Sequence, residues 1–295
     1  MIGACSLHSV LVQGQLAYAM RRAVAARDGE LGLQIFTPPQ LAARLAGGFL
    51  RPASRESIEA GIRAALSEPA LLVDIGPIAD LPGVTRAVMH SLRNVWRSGF
   101  DLRSPDFESQ PRVQDLIYIE DKVRAQLHPG ELLLPDLCNA ACENIELAPR
   151  LIGDIHLHGI DAIDPIWRDL INDLVNVVDI QWRTPPQCDS GWFKGTVIPA
   201  TVSTPDIRAV SCADPSNETL QAMRWARELL ASGRARPEEI AIAATSTVGW
   251  DDAMIAFAAV SDLPICFANG RPALTSWDGQ RCAALADILH GYSPH

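Results

Sequence analysis

The stretch Glu238–Leu274, EEIAIAATSTVGWDDAMIAFAAVSDLPICFANGRPAL, shows the clearest order of elements in the chain. Its segment Glu239–Ala244 is too short for a helix and apolar on both faces, which predicts a strand buried in a parallel sheet. A small polar loop follows. Helical spacing of apolar residues over Trp250–Val260 then leads to a second predicted strand, Leu263–Ala268, before the turn at Asn269-Gly270. The stretch therefore predicts a β-loop-α-β unit.

Composition limits the functions that the chain can have. It has 295 residues and a formal net charge of −10, so its surface as a whole repels polyanions, and a nucleic-acid role needs a local basic patch. Gln13, Arg21 and Arg22 interrupt the first apolar run too early for a signal peptide, and no run reaches the ~20 residues of a membrane span. The seven cysteines are scattered and odd in number, which is typical of reduced core residues. We expect a cytoplasmic protein without a membrane partner.

The alternation of strand and helix patterns predicts the α/β class, with two parallel-sheet domains. Residues 1–200 form the first predicted domain, and a mostly helical pattern at about 71–149 predicts a helical insertion within it. Residues 201–295 form the second, which begins with a predicted strand at Ile207–Cys212. A segment rich in proline and glycine, Thr184–Pro205, is interpreted as the linker between them.

The first strand and helix decide whether the chain hydrolyses nucleotides. Met1–Cys5 is a predicted strand, and Leu7, Val10 and Leu11 begin a helical stripe behind it. The junction Gly3–His8 is where a nucleotide-binding protein of this class places its glycine-rich phosphate loop and lysine. No Gly-Lys-Ser/Thr occurs here or elsewhere in the chain. The sequence therefore argues against hydrolysis by a phosphate loop.

The pattern most typical of a metal site is Asp154, His156 and His158, because alternate residues of a strand share one face. Metal-dependent amidohydrolases carry such a histidine pair on the first strand of a barrel of ~250 residues, and too little chain follows His158 to complete one. A metal-dependent hydrolase stays open as an alternative. Cys138 and Cys142 share one helix face without a partner pair, which favours core packing over a metal site.

Several segments carry a resemblance to a known family. They are Leu33–Ala42, His158–Pro165, Asn217–Leu230, Glu239–Ile242, and Leu263–Ile265 with Gly270–Leu274. Together they resemble the N-terminal region of bacterial AddB-like proteins of the PD-(D/E)XK nuclease family, which have the layout of a superfamily I helicase. The resemblance implies two P-loop/RecA-like domains acting in DNA double-strand break repair and recombination. It also implies single- or double-stranded DNA and an AddA-like helicase-nuclease subunit as partners.

The chain departs from the active members of that family. The phosphate-loop lysine and hydroxyl residue are absent, and His158 stands where active relatives carry an acidic Mg²⁺-binding residue. The resemblance thus implies a degenerate nucleotide site at Gly3, Ser6, His8 and His158, with no catalytic residue, metal or cofactor. Later helicase motifs and the nuclease domain would lie beyond His295, so we expect the second domain to be incomplete.

The first hypothesis is therefore an inactivated helicase-like module that binds DNA or acts as a scaffold. Its DNA-binding residues are expected at the carboxyl ends of the strands, at Thr245, Ser246 and Trp250. The alternatives are the metal-dependent hydrolase and a truncated product without independent function.

Overall fold

The structure, a computed structural model, describes residues 7–27, 29–107, 109–184, 188–199, 207–244, 250–261, 263, 265–267, 270 and 273–289. They fall into two units, one ending at residue 199 and the other beginning at residue 207. Within this part of the chain, no helix is both long and apolar enough to cross a membrane.

The first unit contains strands and helices in alternation. Its strands are β1 (His8–Leu11), β2 (Leu33–Phe36), β3 (Arg51–Pro52), β4 (Glu131–Leu132), β5 (Asp154–Leu157), β6 (Ile180–Thr184) and β7 (Thr196–Pro199). Its helices are α1 (Gln15–Ala25), α2 (Pro38–Leu45), α3 (Arg55–Leu66), α4 (Val84–Ser98), α5 (Pro111–Ala125), α6 (Leu134–Cys142), α7 (Ala148–Leu151) and α8 (Arg168–Leu174). The fold of this unit is α/β, as predicted.

Five strands form one parallel sheet in the order β2-β1-β5-β6-β7. The two-residue strands β3 and β4 pair separately, also in parallel. Counted along the chain, the five strands of the sheet have the order 2-1-3-4-5, which is one of the two common doubly wound orders. The direction of winding changes between β1 and β5, so the crevice at their carboxyl ends is the topological switch point.

The two faces of the sheet differ in what covers them. On one face, Leu11, Ile155, Leu157 and Trp182 are buried in a core shared with α2, α6 and α8. On the other face, α1 covers only the side near β1 and β2, where its Ala17 belongs to a small separate cluster. Asp154 and His156 of β5 are exposed. The polar residues of β5 thus lie where no described helix of the first unit covers them.

A second core joins α3, α4 and α5, which the sequence predicts as helices between the strands of the sheet. Its buried residues include Ile62, Leu92, Trp96 and Ile119. Gly61 of α3 lies so close to α5 that a Cβ there would be 2.3 Å from the Cα of Val123. Two separate cores in one unit explain how a block of helices is accommodated between β2 and β5 without breaking the sheet.

The start of the chain requires a correction. The predicted strand Met1–Cys5 lies outside the described residues, and the segment predicted as the start of a helix is β1 instead. Val10 and Leu11 fit helical spacing as well as strand spacing. The strand forms because its backbone pairs with β2 on one side and with β5 on the other.

The second unit contains α9 (Pro215–Ala231), α10 (Trp250–Ser261) and α11 (Trp277–Leu289). The predicted strands Ile207–Cys212 and Glu239–Ala244 are wrong for this structure, since both segments are described and neither is a strand. Leu263–Ala268 is described only in part. Ile207 is 80% exposed. A segment of residues that favour strands cannot form a hydrogen-bonded ladder without a neighbouring strand.

Candidate functional site

The switch point between β1 and β5 is the place where an open α/β sheet binds a ligand. Three residues, Val12 to Gly14, connect β1 to α1 at this edge. Val12 is buried and donates its N–H to the carbonyl of Phe36 at 2.9 Å. Gly14 caps α1 with φ 50° and ψ −127°, a conformation that favours glycine. The loop is thus a tight turn, fixed at its first residue by a hydrogen bond and at its last residue by the backbone conformation of glycine.

The loop after β5 closes over the same crevice. His158 donates its N–H to the carbonyl of Leu11 at 2.9 Å and so extends the ladder. Gly159 has φ 62°, and a Cβ on it would lie 2.7 Å from Cδ2 of Leu16. The side-chain amide of Gln13 donates to the carbonyl of Ala162. Gln13 therefore ties the loop after β1 to the segment after β5 at this edge of the sheet.

The chemistry of the switch point agrees with its geometry. A phosphate loop needs several free backbone N–H groups, a lysine and a hydroxyl residue, whereas Val12-Gln13-Gly14 is short and uncharged. Arg21 of α1 donates to the carbonyl of Ile35 at 2.5 Å and to Oε1 of Gln40 at 2.6 Å. Its guanidinium is thereby engaged by oxygens of the protein. Among the described residues, the loop between β1 and α1 carries no lysine or hydroxyl side chain that could neutralise or bind a phosphate.

The predicted degenerate nucleotide site is not a single site in this structure. His8 is the first residue of β1, at the amino end of the sheet, where its Nε2 lies 3.2 Å from Glu30. His158 lies at the carboxyl end, roughly 13 Å further along the strand direction at ~3.3 Å per residue. Gly3 and Ser6 lie outside the described residues. The described residues thus place His8 and His158 at opposite ends of the sheet.

Asp154, His156 and His158 share one side of β5, as predicted, but they do not form a metal site. Alternate residues of a strand are about 6.6 Å apart, so Asp154 and His158 are separated by roughly 13 Å. Asp154 instead lines a cavity of about 850 Å³ at the amino ends of the strands, together with Asp179 and Lys194. In the described part of the chain, no three His, Cys, Asp or Glu side chains are arranged to hold a metal ion.

Cys138 and Cys142 lie on one face of α6. The thiol of Cys138 is buried and donates to the carbonyl of Ile166 at 3.2 Å. A hydrogen bond with Cys142, together with burial, raises the pKa of Cys138. A thiol that stays protonated is not a nucleophile, so this cysteine serves packing.

No model of a known protein family matches the chain, and no curated protein matches it. The resemblance to AddB-like proteins therefore stays a prediction.

The predicted DNA-binding loop is described only at its end. Thr245 and Ser246 lie outside the described residues, and Trp250 is the first residue of α10. Asp251 and Asp252 follow in the first turn of that helix. Two carboxylates beside Trp250 favour the helix dipole but repel phosphate. This end of the loop therefore has poor electrostatics for binding a nucleic-acid backbone.

Sequence reasoning missed the residues that close the switch point, Gln13, Gly14 and Gly159. A signal for the first two exists, since Gln13-Gly14 separates the apolar run of β1 from the helical pattern of α1. The contact between Gly159 and Leu16 joins segments far apart in the chain, and nothing local predicts it.

Proposed function

We propose that this chain is a non-catalytic, helicase-like module with a DNA-binding or scaffolding role in DNA double-strand break repair and recombination. One observation supports the non-catalytic part, namely the short, uncharged loop Val12-Gln13-Gly14 that follows β1 at the switch point. The side chain of Gln13 bonds the carbonyl of Ala162, so this loop is tied to the segment after β5. An open sheet of this kind binds its ligand at this edge, and a phosphate loop there would need a lysine and a hydroxyl residue.

The proposal includes the finer fold prediction that both units derive from P-loop/RecA-like domains. The parallel sheet of the first unit supports it, as does the block of helices between β2 and β5. For the second unit, support comes from the segment resemblance over Asn217–Leu230 and Glu239–Ile242. The regular elements among the described residues of that unit are helices, so this part rests on sequence.

The resemblance supplies the partners. It implies that the module acts beside an AddA-like helicase-nuclease subunit in the cytoplasm and meets single- or double-stranded DNA there. A scaffold of this kind needs no chemistry of its own. The metal-dependent hydrolase has no comparable support.

The first test is nucleotide binding by the purified chain. We expect no binding of a fluorescent ATP analogue and no phosphate release with Mg²⁺, whether or not single-stranded DNA is present. The variant Gln13→Ala is the matched control. It removes the hydrogen bond between Gln13 and Ala162 but does not introduce the lysine that a phosphate loop needs. Saturable binding or DNA-stimulated ATP turnover by the wild-type chain would overturn the non-catalytic part.

The second test is retention of labelled DNA and of the partner subunit. A chain that binds neither single-stranded DNA, nor duplex, nor a co-expressed AddA-like subunit has neither role proposed here. The hypothesis of a truncated product without independent function would then replace them. Binding to either kind of partner supports the module.

A further inference from the structure

Helix α4 carries a row of cationic residues. Its sequence, VTRAVMHSLRNVWRS, contains three arginines and one histidine and no acidic residue. Arg86, His90, Arg93 and Arg97 follow one another at spacings of four, three and four residues, which brings them within an arc of about 60° on the helix. All four are exposed. We call these four residues the α4 stripe.

The opposite flank of α4 fixes the direction in which the stripe faces. Val88, Met89, Leu92 and Trp96 are buried in the helical core. The indole N–H of Trp96 donates to Oε1 of Glu120 at 2.6 Å, which ties α4 to α5. A helix with a buried flank and a buried hydrogen bond cannot rotate freely. The stripe is therefore a rigid feature of the surface.

The charge of the stripe is only partly compensated. Arg97 forms a bidentate pair with Asp164, at 2.8 and 2.9 Å. His90 shares a hydrogen bond of 3.0 Å with Asn94. Arg86 and Arg93 form no ion pair with any described residue. Two positive charges thus remain available on one face of a helix.

Helices α3 and α5, which pack against α4, show the opposite arrangement, because their basic residues are paired. On α3, Arg55 and Arg63 both lie beside Glu59, at 3.4 and 3.7 Å. On α5, Lys122 pairs with Glu68 at 2.8 Å, and Arg124 pairs with Asp136 of α6. In a chain of net charge −10, the α4 stripe is a local exception.

Helix stability does not account for the stripe. Arg86 lies in the first turn of α4, where the helix dipole favours an acidic residue and none is present. Arg93 and Arg97 occupy i, i+4 positions, at which opposite charges stabilise a helix and like charges destabilise it. An ordinary solvated face would mix the two signs. Arg97 is favourably placed, in the last turn and paired with Asp164, but helix stability gives no reason for Arg86.

The dimensions of the stripe suit a phosphodiester backbone. Arg86 and Arg97 are about 16 Å apart along the helix at ~1.5 Å per residue. That distance spans about five phosphates of one strand at ~3.4 Å of axial rise each. Guanidinium groups bind phosphate oxygens in a bidentate manner. Trp96, the aromatic residue of α4, is buried, so the stripe offers no surface on which a base could stack.

We propose that the α4 stripe binds the sugar-phosphate backbone of nucleic acid without reading its sequence. This inference rests on the DNA-binding part of the proposed function and moves the contact from Thr245, Ser246 and Trp250 to Arg86 and Arg93. Duplex and single strand share the phosphate chemistry. Their different salt dependence, about −0.9 per neutralised phosphate for duplex and about −0.7 for single strands, distinguishes them.

The test compares two double variants of the full chain with the wild type. R86A/R93A removes the two unpaired charges of the stripe. R55A/R63A is the matched control, because it also removes two exposed arginines from one helix, but from positions beside Glu59. A third variant, R86K/R93K, keeps the charge. Binding of a labelled duplex and of its single strand is measured by fluorescence anisotropy between about 50 and 200 mM salt.

For R86A/R93A we expect a shallower dependence of affinity on salt. Because this variant neutralises two fewer phosphates, the wild type should lose about twelvefold more affinity than the variant across that range on duplex, and about sevenfold more on single strands. R55A/R63A should follow the wild type, and R86K/R93K should keep most of the binding. Thermal unfolding confirms that each variant is folded.

Three outcomes would overturn the inference, and they differ in what they leave standing. If R86A/R93A binds with the salt dependence of the wild type, the stripe does not bind the backbone, while DNA binding by the chain stands. If both double variants lose binding equally, net charge explains the effect and the stripe does not. If the wild type binds neither duplex nor single strand at about 50 mM salt, the DNA-binding part of the proposed function fails as well.

Discussion

Replacing Glu131 by glutamine should remove a pH-dependent contribution to the stability of the first unit. The carboxylate of Glu131 is buried between β3, β4 and α3. It accepts hydrogen bonds from Oγ of Ser57 at 2.6 Å, from the N–H of His128 at 3.2 Å and from the N–H of Ser54 at 3.3 Å. Arg51 lies 3.4 Å away, but it is 65% exposed and adds little.

The magnitude follows from the pKa of Glu131. Burial raises this pKa, but the hydrogen bonds from Ser57, His128 and Ser54 outweigh burial and bring it from 4.5 to about 2. A difference of about 2.5 pKa units between the unfolded and folded states corresponds to roughly 3 kcal/mol of stability at neutral pH. Because the folded-state pKa is the lower one, this stability is present above about pH 4.5 and is lost as the pH falls towards 2.

The measurement is urea unfolding of wild type and Glu131→Gln at several pH values from about 7 to 3. The difference in the free energy of unfolding should shrink by roughly 2 kcal/mol over that range, because the wild type loses its advantage while the variant has none to lose. Glu59→Gln, which changes a carboxylate in ion pairs with exposed arginines, should cost less than about 1 kcal/mol. A difference between wild type and Glu131→Gln that stays constant or grows as the pH falls would refute this reasoning.

Three further substitutions test other contacts. The carboxylate of Asp115 accepts three hydrogen bonds of 2.8 Å from the backbone N–H groups of residues 73 to 75. In D115N an amide N–H₂ would face some of these donors, so the free energy of unfolding measured in urea should fall by about 2–4 kcal/mol. A loss below about 1 kcal/mol would mean that water replaces the carboxylate. G61A should cost about 1–3 kcal/mol in the same assay, because its Cβ would meet the backbone of Val123, and an unchanged midpoint would show that α3 and α5 can separate without cost. R86E should stabilise α4 by about 0.3–1 kcal/mol in thermal unfolding while weakening DNA binding; a lower melting temperature would contradict the argument that helix stability gives no reason for Arg86.

Local structure in the first unit is largely predictable because its causes are local. At the start of α2, the side chain of Gln40 accepts the N–H of Thr37 at 3.1 Å. At the start of α3, the hydroxyl of Ser54 accepts the N–H of Ser57 at 3.1 Å. The spacing of the cations in the α4 stripe is equally local. It could have been found from the sequence by asking which helical face carries no acidic residue.

Prediction fails where one segment fits two structures. His8–Leu11 fits a helical stripe and a strand about equally, and only pairing with β2 and β5 decides between them. The same holds for Ile207–Cys212, whose residue types favour a strand but which has no strand partner within the described residues. This ambiguity also affects the predicted site, because the position assigned to the first strand determines which loop follows it and could bind a phosphate.

The sequence by itself determined the α/β class, the helices with their caps, and the absence of a phosphate-loop lysine, because these depend on residues near one another in the chain. Tertiary structure alone decided the order of the strands, the bond from Gln13 to the segment after β5, and the partners of arginines that pair with residues far away in the chain. Arg93 and Arg97 look alike in the sequence. Arg97 pairs with Asp164 from another part of the chain, whereas Arg93 lies beside no described carboxylate, and that difference leaves α4 with charge to which a polyanion could bind.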